Sequence, residues 1–140
     1  MGSVFSSASS SLYFYVGVNA AIMLFLALMV VVARERTKTL IGDAGLPEMI
    51  GPVRAHANNV EYVPMGLLLL WAMVAQGAPL WAVHTVGLTL TTGRVLHGLG
   101  LSTSLDTSAP RLVGILLTWI SFLVGIVAVL WLVFMPGATP

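Results

Sequence analysis

From Leu12 to Ala33 the chain runs without one acidic or basic residue, and a second uninterrupted apolar stretch fills Leu112 to Met135. A spanning helix needs about 20 such residues, so each stretch is long enough to cross a bilayer. Water-soluble domains cover their surface with roughly 25% charged residues, whereas this chain has 8% charged and 58% hydrophobic residues and a mean hydropathy of +0.98. The sequence therefore predicts an all-α integral membrane protein, a four-helix bundle with four transmembrane helices in a single domain, 1–140. The spans are expected at about 12–33, 53–76, 80–100 and 110–135. The Ser-rich start lacks the basic residues of a signal peptide, and no small-x-small cleavage pattern precedes Arg34, so the first stretch is expected to stay as a span.

The connections set the expected orientation. Arg34, Arg36, Lys38 and Arg54 cluster at the first connection, Arg94 and Arg111 flank the third, and the turn GAP, Gly77 to Pro79, has no charge. By the positive-inside rule the first and third loops face the cytoplasm and both termini face outward. A net charge of +1 offers no field for nucleic acid. The absence of cysteine excludes a disulfide, a thiolate metal site and a protein thiol nucleophile, so thiol chemistry here needs a ligand's thiol. No metal site is expected.

Against this background the segment RAHANNVEYVP, Arg54 to Pro64, stands out, because ionisable groups beside hydrocarbon are costly unless they line a site or pair. Arg54, Asn58 and Glu61 fall at i, i+4, i+7 and form one stripe on a helix. Arg94 and His97, in GRVLHGLG, share a face of the third span at the same membrane level. Three arginines, Arg54, Arg94 and Arg111, then surround one carboxylate, Glu61. An arginine fork suits a carboxylate or phosphate, Glu61 an ammonium, and Asn58 an amide, which together complement a small zwitterion carrying more than one carboxylate. The plainer reading is that these groups lock helices together, as Asn side chains do within membranes. His84 is expected at the opposite interface, and Trp71, Trp81, Trp119 and Trp131 are read as lipid-facing or interfacial aromatics. The glycines Gly87, Gly93, Gly98, Gly100, Gly114 and Gly125 permit close helix contact.

The paired segments RAHANNVEYVP and GRVLHGLG resemble the signatures of the MAPEG family, membrane-associated proteins in eicosanoid and glutathione metabolism. The resemblance extends over nearly the whole chain in length, layout and motif position. It implies a homotrimer in the lipid bilayer, of bacterial type and in the inner membrane, with glutathione bound between subunits on the cytoplasmic side. Glutathione contacts would fall to Arg54, Asn58, Glu61, Tyr62, Arg94 and His97. Arg111, near the start of the fourth span, would stabilise the glutathione thiolate as the catalytic residue. The activity implied is that of a glutathione transferase, or a glutathione-dependent peroxidase, acting on lipophilic small molecules. A non-catalytic glutathione- or lipid-binding scaffold is the alternative. Two positions depart from the eicosanoid-type pattern: Leu101 stands where those members carry a tyrosine, and Ala57 where prostaglandin E synthase has a basic residue. Ser102, Ser104 and Thr107 are candidate donors to the sulfur.

Overall fold

A computed structural model describes residues 6–135 as four helices, α1 (Ala8–Thr37), α2 (Pro47–Ala75), α3 (Leu80–Thr103) and α4 (Ala109–Phe134). Each outer boundary has a local cause. The Ser7 hydroxyl accepts the Ser10 amide at 3.1 Å and caps α1, so part of the serine leader already belongs to the first helix. Lys38 ends α1 in the left-handed region, and the following loop turns through Gly42, Ala44 and Gly45, all at positive φ. Pro47 opens α2 at a position where a missing amide hydrogen costs nothing, which is why α2 begins nearly two turns ahead of the expected Val53. Pro64 lies inside α2, an arrangement that buried membrane helices tolerate.

The packing order is not a simple ring. α2 and α3 touch each other, α1 packs on both of them and α4 packs on both of them, while α1 and α4 do not meet. Within one chain α1 and α4 therefore form no groove between them. Among the described residues only α1 and α4 are long and apolar enough to cross a membrane by composition alone. α2 and α3 carry Arg54, His56, Asn58, Asn59, Glu61, Arg94 and His97 and occupy the middle. Asn59, Arg94 and His97 are buried between the helices, while Arg54 and Glu61 of α2 stay exposed. The four tryptophans are all more than half exposed, in keeping with a lipid-facing role.

One core cluster, at the end of the bundle that carries the α2–α3 turn, gathers Leu12, Tyr15, Leu70, Met73, Val83 and Val86. A smaller one at the other end joins Leu26, Ala55 and Leu101. The α3–α4 seam is tightest. A Cβ on Gly93 would stand 2.8 Å from the Gly114 carbonyl oxygen, and one on Gly100 would stand 2.6 Å from the Arg111 amide nitrogen. A Cβ on Gly114 would collide with the backbone of His97. This glycine seam brings His97 and Arg111 to one level. Overpacking costs about 1–3 kcal/mol, so Gly114→Ala should lower the thermal midpoint in detergent by several degrees. Gly125→Ala, whose Cβ would only reach ordinary contact with Leu69, should not. Equal midpoints for the two variants would show that the seam yields.

Candidate functional site

The site begins with a buried cation. Arg94 is 1% exposed, near the middle of the bundle, with no carboxylate beside it; the one ion pair among the described residues joins Lys38 to Glu35 at the surface. Its Nε donates to Thr118 Oγ1 at 3.0 Å, and its Nη1 donates to Asn58 Oδ1 at 2.9 Å. Thr118 is itself committed, donating to the Gly114 carbonyl at 2.8 Å. The guanidinium lies 5.2 Å from the centre of the Tyr62 ring, which supplies a negative π face. Phe122 holds Tyr62 edge-on from α4. Arg94 Nη2 is buried without a partner.

This geometry orients Asn58. Guanidinium can only donate, so the Asn58 carboxamide must turn its oxygen to Arg94 and leave its NH₂ for the space beyond. That space is a cavity of about 310 Å³ lined by Asn58, Tyr62, His97, Thr107, Ser108 and Arg111, among others. Arg111 is half-buried there and holds only a 3.4 Å contact to the Leu105 carbonyl, so its charge is nearly uncommitted. Ser108 is the N-cap residue of α4 but makes no side-chain cap, and its Oγ is buried without a partner. The wall thus offers an amide NH₂, a guanidinium and a spare hydroxyl. Such a donor set fits a carboxylate or another small anion.

The expected residues separate into three groups. Asn58, Tyr62, His97 and Arg111 meet around the cavity. Arg94 does not line it and stands behind Asn58 and Tyr62. Arg54 and Glu61 are exposed on the outer edge of α2. Neither forms an ion pair among the described residues. Leu101, at the position of the missing tyrosine, is buried in the small apolar cluster. Of the candidate donors, Ser102 bonds the Gly98 carbonyl and Ser104 accepts from the Asp106 amide, while Thr107 reaches the cavity. Ser108 and Thr118 escaped the sequence reading; a serine three residues before an arginine at a helix start was the signal for the first.

Near the α2–α3 turn His84 is half-buried. The Tyr15 hydroxyl lies 2.9 Å from its Nδ1 and the Ser11 hydroxyl 3.4 Å from its Nε2. Deeper in, Asn19 donates to Thr91 Oγ1 at 2.8 Å and to the Tyr15 carbonyl. The bonds to His84 and Thr91 tie α1 to α3.

Fold and site together define a membrane four-helix bundle with a donor-lined polar cavity between its second, third and fourth helices. The chain belongs to the MAPEG family, whose model matches residues 12–131. It is similar to the inner membrane protein YecN of Escherichia coli strain K12, with 33% identity over 117 residues, 84% of this chain and 88% of the relative. The YecN protein of Escherichia coli O6:H1 matches to the same extent.

Proposed function

We propose that this is a glutathione-binding protein of the bacterial inner membrane, assembled as a homotrimer, that conjugates glutathione to lipophilic electrophiles or reduces lipid peroxides with it. The observation that carries this reading is the cavity in which the Asn58 amide, His97, Arg111 and the spare Ser108 hydroxyl converge. Arg54 and Glu61 supply the other half from the exposed edge of α2. A carboxylate at the middle of a span is costly against lipid, so a second copy of the chain is expected to cover that edge and close the site. Glu61 then receives the glutathione ammonium and Arg54 a carboxylate. The positive-inside rule supports a cavity end that faces the cytoplasm, where glutathione is available.

In conjugation the thiol proton leaves to water, the sulfur electron pair forms the new C–S bond, and the leaving group departs with its own pair. Arg111 favours the ionised sulfur by placing a positive charge beside it. Calorimetry on the detergent-purified protein tests the binding step. Wild type should bind glutathione, and Glu61→Gln and Arg54→Ala should each weaken it by at least about tenfold, the value of one charge-assisted hydrogen bond, while remaining folded. Absence of binding by wild type would remove the proposal.

Burial of Leu101, which puts no hydroxyl at the tyrosine position, favours the second reading, a glutathione-binding scaffold without efficient thiolate activation. The short-wavelength ultraviolet band of the thiolate separates the two. A catalytic protein develops it near neutral pH on adding glutathione; a scaffold binds without it.

A further inference from the structure

Away from the cavity, α1 and α2 leave a furrow of about 640 Å³ at the end of the bundle that bears the first loop. Its floor on α1 is Phe25, Leu28, Met29 and Val32, spaced i, i+3, i+4, i+7, a single apolar stripe leading along the helix. Arg36 continues that stripe by one further turn, and Glu48, in the first turn of α2, stands on the opposite wall. The neighbouring charges are engaged elsewhere: Arg34 donates to the Thr39 carbonyl at 3.2 Å, and Lys38 pairs with Glu35 at 3.7 Å. Arg36 and Glu48 pair neither with each other nor with any other charge among the described residues.

We propose that this furrow is a binding site for a zwitterionic, primary-amine phospholipid of the phosphatidylethanolamine class. The apolar stripe lies within the hydrocarbon, where an acyl chain is the available filler. The arginine fork at its mouth matches a phosphate, and Glu48 accepts from an ammonium that carries N–H groups. One cation and one anion held apart in a furrow complement a headgroup with both charges. A phosphatidylcholine headgroup has no N–H to offer Glu48, and a phosphatidylglycerol headgroup leaves that carboxylate without a cation. The two classes therefore bind more weakly. Lipid seated here braces the start of α2 against the end of α1, one to two turns from Arg54.

Native mass spectrometry of the full chain, released from detergent with equimolar chain-matched phosphatidylethanolamine, phosphatidylcholine and phosphatidylglycerol, tests the assignment. Phosphatidylethanolamine should be retained over phosphatidylcholine by about tenfold, the worth of a charge-assisted hydrogen bond. Glu48→Gln should abolish that preference, and Arg36→Ala should weaken all three lipids. Equal retention by wild type, retention of none, or a preference that survives Glu48→Gln overturns the proposal. So does efficient disulfide cross-linking of Val32→Cys between two copies in the bilayer, which the cysteine-free chain makes a clean assay for a protein partner in the furrow. Neither Arg36 nor Glu48 lines the polar cavity, so the result is independent of glutathione binding.

Discussion

Arg111→Ala should lower glutathione conjugation by about a hundred- to a thousandfold, the usual loss when one preorganised group facing developing negative charge is removed, and leave glutathione affinity within about threefold. The disparity follows from where the side chain is held. The Arg111 backbone is clamped against Gly100, whereas its guanidinium keeps one long contact to the Leu105 carbonyl. The fold therefore loses little with the charge. The peptide part of glutathione is assigned to Arg54, Asn58 and Glu61, on a different helix. The variant should bind nearly as well as wild type and show its thiolate band only at more alkaline pH, because the cation that favours the ionised sulfur is gone. Parallel loss of affinity and turnover would make Arg111 a binding residue. A wild type with neither turnover nor thiolate band would leave the scaffold reading.

The architecture could be read from hydropathy because the two apolar helices, α1 and α4, announce themselves, and the polar stretches in α2 and α3 mark the helices needing protection. The ends were less legible. Ser is a poor helix former in isolation, so the serine leader reads as coil, yet Ser7 caps α1 and Ser11 lies inside it, bonding back to the Ser7 carbonyl. Pro47 and Pro52 are equally plausible openings of α2 by composition, and only the seating of Met49 and Gly51 in the bundle separates them. Helical periodicity placed Arg54, Asn58 and Glu61 on one stripe correctly. A modest rotation about α2 then decides which of them turns inward, and that rotation is fixed by contacts distant in sequence. The partnership of Arg94 with Thr118 joins α3 to α4 and has no local signature. The separation of α1 from α4 by the central α2 and α3 likewise rests on contacts distant in sequence.

Arg94→Met separates a functional cation from bundle glue. A buried, unpaired guanidinium bears a large desolvation cost, and exchanging such groups for apolar residues of similar size is often neutral or stabilising. The two hydrogen bonds to Thr118 and Asn58 and the Tyr62 ring offset part of that cost, while Nη2 remains unsatisfied. On removal, Thr118 keeps its bond to the Gly114 carbonyl, and the half-buried Asn58 can turn its oxygen to water in the cavity. The ligand-free variant should therefore melt at or above the wild-type temperature. Glutathione affinity should nevertheless fall by about a hundredfold, near the upper value for hydrogen bonds involving charged groups, because Asn58 is no longer held with its NH₂ facing the cavity and Tyr62 loses its stacking partner. Arg94→Lys should fare little better, since an ammonium cannot span Thr118 and Asn58 with the same fork. A lower melting temperature with affinity unchanged would instead make Arg94 a fastener between α2, α3 and α4.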